Sequence, residues 1–428
     1  MRWLLFLMLS VVLIALGCNK KTTSSYARYS DARVKTDVKP YNNICRKQAS
    51  YEPQERYLNH YQKKILRVNI HIIRSADGSG NFDDELGTWY AKELIKESNR
   101  RMANNVKMNL PQNNATPALP VKIELQLTGT NKKDDGIYFH ERDTLCWSNK
   151  KGGVFSNYSR NQYKQLGIAK DSVYNIFMVE HHPDSIKSPT YKAGLSGIGF
   201  KDFMKVTGSF ENFCDTIFRA NQPPLVLDYT RSAPLLVHEL GHALGLAHTW
   251  GGHDGCDDTP KHRGCWNVNE PAVPECNPVV SNNVMDYNAY QNAFTPCQIG
   301  RMHYYAINHT TTKKFIVKSY CDYDPYNKIV IAKNDSVVWN DIKYLNTNIV
   351  VKGKLTINCT LFLPNDAEVI VKPTGQLFLN NAKISNACGG TWKGINMQKD
   401  EDKAGELIAT PNAIIENAKH QIDFIKGT

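Results

Sequence analysis

The sequence predicts an α+β region, a mixed twisted sheet with helices, followed by an all-β C-terminal segment with the repeat of a β-solenoid. Three observations carry this. Strand-like and helix-like segments alternate up to about residue 250, and a long stretch rich in loop residues follows. After Cys321 the apolar period drops to two. Paired strands there recur at an offset of roughly 20 residues, the size of one solenoid coil.

Residues 1–18, MRWLLFLMLSVVLIALGC, join one arginine to an apolar run too short to span a bilayer comfortably, followed by small residues. This is the pattern of a secretory signal, residues 1–17, and predicts an exported chain. The ALGC ending resembles a bacterial lipobox, with Ala15 where leucine is usual, and makes Cys18 the candidate for lipidation. A lipid on Cys18 would tether a cell-envelope or surface lipoprotein; ordinary cleavage would give a secreted protein.

Residues 18–60 are polar and lack sustained periodicity, so they are expected to be a tether or a short pro-segment. A catalytic region is expected over 61–320. It begins with the strand KILRVNIHIIR. Next comes a helix, DDELGTWYAKELIKESNRRM, with Ala91, Leu94, Ile95, Ser98 and Met102 at helical spacing, acids near its start and arginines near its end. PVKIELQLTG and DSVYNIFMVEH read as strands and APLLVHELGHALG as a helix. From Gly251 to about Gln298 the chain is loop-rich.

Residues 321–428 form the C-terminal domain. NIVVKGKLTIN and EVIVKPTGQLFLN are two apolar-alternating strand pairs, and GINM to GELIATPNAIIENA is the third. A small sandwich is the alternative. No polar cap precedes Thr428, so the solenoid end is expected either to be covered by another segment or to continue. A role for this domain in binding a surface or glycan is the expectation.

The formal charge of +11 is spread over scattered lysines with no basic run interleaved with aromatics, which argues against nucleic acid as partner. Eleven cysteines in an exported chain point to disulfides. Setting Cys18 aside leaves an even number, which suits five bridges.

HELGHALGLAH, residues 238–248, carries the chemistry. On a helix, His238 and His242 project from one face a turn apart and can reach one cation. Glu239 beside them can take a proton from solvent that the metal acidifies. Gly245 can adopt a left-handed conformation and end the helix, so that His248 arrives as a third ligand. Three protein ligands leave one position open, the catalytic arrangement for zinc. An amphipathic core helix would not require these histidines, since Leu235, Leu236, Leu240, Leu244 and Leu246 already suffice for packing.

HELGHALGLAHTW, then DDTP at 257–260, NNVMDY at 282–287 and FTPCQIGRM at 294–302 resemble the pappalysin-like family of metzincin zinc metalloproteases, over roughly residues 65–312. The resemblance implies a metzincin-like catalytic domain with zinc in a cleft. It implies His238, His242 and His248 as zinc ligands, Glu239 as general base and Met285 as the floor beneath the metal. Tyr287 is implied to stabilise an oxyanion. Asp254, Asp258 and Thr259 are implied as candidate oxygen donors for calcium. It also suggests disulfides Cys256–Cys276 and Cys265–Cys297, and makes GLSGIGF the edge strand that holds an extended peptide.

This sequence departs from the pattern at Trp250, where phenylalanine is usual. YTRSAPLL departs from the usual glycine and arginine pattern before the helix, and Cys297 stands a few positions late. Metzincin zymogens can also be silenced by a pro-segment cysteine, for which Cys45 is the candidate, although the even cysteine count favours a disulfide for it. The expectation is therefore an exported zinc endopeptidase acting on protein or peptide. The alternatives are a non-catalytic surface adhesin on a metalloprotease-like scaffold and a zinc hydrolase acting on other bonds.

Overall fold

The computed structural model describes residues 22–36, 43–148, 150–151, 154–155, 157–187, 189, 191, 194–219, 229–250, 254–259, 265, 279–288 and 290–422. The expected signal segment and Cys18 lie outside them. Among the described residues no helix is long and apolar enough to cross a membrane.

In the catalytic region, β1 (Lys64–Arg74) is the central strand. Helix α1 (Asp84–Ala103) follows, then β2 (Ile123–Leu127), β3 (Ile137–Glu141), β4 (Tyr174–His181), β5 (Ser196–Gly199) and β6 (Phe203–Thr207). Helices α2 (Tyr229–Ala243) and α3 (Pro296–Asn308) complete the set used below. The sheet runs β5–β6–β4–β1–β2, and β3 pairs with the second half of β1. All these pairs are parallel except β5 with β6, so the edge strand beside the helices is antiparallel.

The near-continuous apolar runs of β1 and β4 have a simple cause: both faces are covered. Leu66, Val68, Ile70 and Ile72, with Tyr174, Ile176 and Met178, face the helices α1 and α2. The alternate residues Ile73, Phe177 and Val179 enter a second cluster on the other face. Helix α1 buries Ala91, Leu94, Ile95, Ser98 and Met102, the expected face. Asp83 caps it by accepting from the Leu86 amide at 2.8 Å.

The C-terminal region is a three-sided parallel β-solenoid rather than a sandwich. One side stacks Asp324–Ile331, Thr347–Val351, Glu368–Val371 and Gly394–Lys399. The second stacks Ser336–Trp339, Lys354–Ile357, Gln376–Leu379 and Glu406–Ala409, and the third begins at Lys343–Tyr344. Inward residues such as Ile349, Leu355, Leu361, Val369, Leu377 and Ile384 make one continuous core. Among the described residues no closed barrel forms.

The segment expected to be a tether is part of this core. Thr23–Tyr26 pairs antiparallel with Gly394–Lys399, and Ala32–Val34 pairs parallel with Glu406–Ala409. The end of the solenoid is thus covered by the N-terminal strands of the same chain. Further along, Tyr51 packs edge-on against Tyr304 of α3, its hydroxyl donating to the Cys45 carbonyl at 3.0 Å.

The disulfides correct the expected partners of Cys256 and Cys265 and the expected number of bridges. Cys256 pairs with Cys297 rather than with Cys276. Cys265 is disulfide-bonded as well, yet not to Cys297, which is taken. Cys276 lies outside the described residues. Cys45 pairs with Cys359 of the solenoid, so no thiolate is left there to block a metal site. Cys321 pairs with Cys388. Cys146 is a buried thiol, which burial pushes up to about 11, so the expected set of five bridges is not made.

Candidate active site

Helix α2 lies beneath the edge strand β5 and buries His238 and Glu239. It ends in a Schellman turn: the Leu246 amide donates to Gly241 O at 2.9 Å and the Gly245 amide to His242 O at 3.1 Å. Gly245 has φ +91°, and a Cβ there would meet the Tyr305 ring at 2.3 Å. Only glycine satisfies both conditions, and the turn it makes returns His248 to the helix face.

The three Nε2 atoms of His238, His242 and His248 lie 3.1–3.2 Å from one another. His238 Nδ1–H donates to Val284 O at 2.6 Å and His242 Nδ1–H donates to Leu246 O at 3.0 Å. Both rings therefore turn an unprotonated Nε2 toward the common point. Lone pairs so placed repel one another unless a cation sits between them. Imidazoles bound tetrahedrally at about 2.1 Å would stand roughly 3.4 Å apart, close to what is found. The residues fit a zinc ion. Burial, with the neighbouring rings, pushes His238 and His248 down to about 4 and lowers His242, so all three favour the neutral form a metal needs.

Glu239 is 4% exposed, and one of its oxygens, Oε2, has no hydrogen-bond partner among the described residues. Burial pushes its carboxyl up to about 8, opposed by the Gly199 amide. The edge strand reaches this carboxylate through its glycines. A Cβ on Gly197 would meet Glu239 Cγ at 2.6 Å, and one on Gly199 would meet the Glu239 carbonyl at 2.1 Å.

Met285 is fully buried beneath the helix. A Cβ on Gly241 would come within 2.4 Å of its sulfur, so that glycine makes the room the methionine occupies. Its turn also holds the ligands, because Val284 O receives the His238 proton. Tyr287 is 50% exposed and stands beside the triad, its ring 4.9 Å from that of His248 and 6.1 Å from that of His238. Burial and the charge of Glu239 raise its hydroxyl above the usual range.

Asp254, Asp258 and Thr259 are close in the chain but serve different bonds. Asp254 accepts from the Cys256 amide at 3.0 Å and from the Thr259 hydroxyl at 2.8 Å. Asp258 accepts from the Cys297 amide at 3.0 Å, at the start of α3. Cys256 and Cys297 stand near Asp258 too, but their sulfurs are joined to each other and offer no thiolate to a metal.

The family model of peptidase M43, described as pregnancy-associated plasma protein-A, matches residues 223–306, the stretch that carries all three histidines, Glu239 and Met285. Over those residues the chain is similar to the pappalysin-type metalloendopeptidases. A metalloendopeptidase of this type implies a protein or peptide substrate, and the family implies zinc. Two solved structures are similar to the chain at 20% identity: a mirolysin in complex with compound 9, and Tannerella forsythia mature mirolysin in complex with a cleaved peptide. Each match covers 60% of this chain and 96% of the other, with TM-scores of 0.40 and 0.38. No curated protein matches the chain.

Sequence reasoning missed several residues that position the site. Asn283 Oδ1 accepts from the Met285 amide at 2.8 Å, and its amide group donates to Gln298 Oε1 at 2.9 Å. Gln298 in turn forms a capping box with Thr295 at the start of α3. The T-x-x-Q spacing inside FTPCQIGRM was a readable sign of that cap. Lys201 donates to His242 O at 2.7 Å and carried no local sign.

Proposed function

We propose that this protein is an exported zinc endopeptidase of the metzincin type in which His238, His242 and His248 hold the metal and Glu239 is the general base. The reading rests on one observation: three imidazole nitrogens converge beside a buried carboxylate that has an oxygen to spare. A zinc ion held there would supply a Lewis acid and acidify solvent in its open position toward a pKa of about 7.

Glu239 then has two tasks, taking the proton from the attacking solvent and delivering it to the leaving amide nitrogen. Ser196–Gly199 would hold the extended substrate by adding it to the sheet edge, which fixes its carbonyl over Glu239. The Tyr287 hydroxyl, kept protonated by its surroundings, would donate to the developing oxyanion. Export is supported by the disulfides of the chain, which persist on the oxidising side of a membrane. For calcium the support is Asp258 Oδ1, which lacks a hydrogen-bond partner among the described residues.

The test is cleavage of an unfolded protein by the wild type, by the wild type with a chelator, and by Glu239→Ala. Activity lost in both latter cases is expected, with a fall of at least about a hundredfold for the variant. Equal cleavage by the wild type and Glu239→Ala would leave the adhesin reading in its place.

A further inference from the structure

A cleft of about 510 Å³ opens where the catalytic region meets the solenoid, between the first residues of β1, the end of α3 and Tyr344 of the third solenoid side. Its volume is in the range of small-molecule sites. Ile65, Ile307, Ile316 and Val317 give it an apolar floor. No acidic residue is among the described residues that line it, whereas five lysines are.

Two of those lysines already have partners outside the cleft, Lys63 with Glu124 and Lys314 with Asp171. Lys64, Lys313 and Lys318 have no ion pair among the described residues. Lys64 is the telling one. It feels one carboxylate, Asp341, and two neighbouring ammonium groups, Lys343 and Lys122. Lys343 takes Asp341 at 3.0 Å and the His60 carbonyl at 3.2 Å. Lys122 donates to the carbonyls of Leu58 and Tyr61. Lys64 Nζ alone of the three has no acceptor among the described residues. Burial and the two neighbouring ammonium groups push it down to about 8. An anion in the cleft would meet a lining rich in ammonium groups and free of carboxylates among the described residues.

We propose that this cleft binds a medium-chain alkyl carboxylate, its head between Lys64, Lys313 and Lys318 and its chain along Ile65, Ile307, Ile316 and Tyr344. A carboxylate fits better than a phosphate because the inner end offers one ammonium and no arginine fork. The occupant would bridge the two cores, since Ile65 begins the catalytic sheet and Tyr344 belongs to the solenoid.

The experiment is calorimetric titration of the full chain with octanoate, decanoate, decanol and decyl phosphate, each below its micelle concentration. Proteolysis is not read, so failure here leaves the enzyme reading untouched. One decanoate per chain is expected, with affinity rising by up to about fourfold per methylene over octanoate. Lys64→Gln, Lys313→Glu and Lys318→Glu should each weaken it by about tenfold. Lys313 and Lys318 are exposed, so those variants decide the matter if Lys64→Gln does not fold. No decanoate binding, decanol binding as tightly as decanoate, or full affinity in the Lys313 and Lys318 variants would overturn the proposal. Tighter binding of decyl phosphate would overturn the carboxylate.

Discussion

The Trp250 indole lies flat on the His248 imidazole, with ring centroids 4.9 Å apart and planes 13° from parallel. His238 and His242 are oriented by carbonyls that take their Nδ1 protons. His248 comes from beyond the helix, and the indole covers one face of its ring. Such a stack is worth about 0.5–1.5 kcal/mol beyond the area it buries. Trp250→Ala is therefore expected to weaken zinc binding by roughly 2- to 13-fold in competition with a chromophoric chelator, with Trp250→Phe in between. Unchanged zinc affinity in the alanine variant would show that the stack does not orient the ring.

Gly197 and Gly199 make separable demands. A methyl group on Gly197 collides with the side chain of Glu239, which can turn aside but then leaves its place at the edge strand. Gly197→Ala should lower kcat/KM by at least about tenfold while zinc affinity and Tm hold. A methyl group on Gly199 collides with the Glu239 carbonyl, so strand or helix must shift, at a cost of about 1–3 kcal/mol. Gly199→Ala should accordingly lower Tm as well as activity. The same Tm loss in both variants would refute this division.

The parts of the site that follow from local spacing were legible in the sequence. His238 and His242 sit a turn apart on any helix, and Gly245 marks where that helix must end. The pairing of Cys256 with Cys297 was not legible, because it depends on Asp258 reaching the first turn of α3. Nor were the strands at Thr23–Tyr26 and Ala32–Val34. TSSY and ARV are too short to show a period, and they are strands only because the last solenoid coil offers them an edge. Lys64 reads as an ordinary strand residue until the solenoid brings Asp341 and Lys343 near it.

The Cys45–Cys359 bridge spans 314 positions and ties the N-terminal segment to the solenoid. Closing so long a loop restrains the unfolded chain strongly, and losing it should cost about 2–5 kcal/mol. Cys45→Ser is expected to lower the unfolding free energy by that amount, read from the fall in denaturant midpoint multiplied by the m-value. Its proteolytic rate per folded molecule should match the wild type, because the sulfur is far from the metal ligands in function and already bonded. A rise in activity on substitution or mild reduction would restore the idea of a blocking thiolate.

His71 sets an acid limit on the catalytic sheet that is independent of the metal site. It is fully buried; Nε2–H donates to Asn175 Oδ1 at 2.8 Å and Nδ1 accepts from His140 Nε2 at 2.8 Å. Burial pushes its pKa down to about 3, His140 adds to this, and the bond to Asn175 opposes it. The fold thus holds the neutral ring, while the unfolded chain takes up a proton near 6.5. Stability from this residue is present above pH 6.5 and is lost as the pH falls from there toward 3. At pH 5 the loss amounts to about 2 kcal/mol, since each pH unit below 6.5 removes about 1.4 kcal/mol. Unfolding by urea at pH 7.5 and pH 5, in the presence of a chelator, measures it. His71→Gln keeps a donor for Asn175 and cannot titrate, so its stability should fall by about 2 kcal/mol less than that of the wild type over the same interval. Equal losses in the two proteins would mean that the ring is protonated in the fold or that its neighbours carry the acid sensitivity.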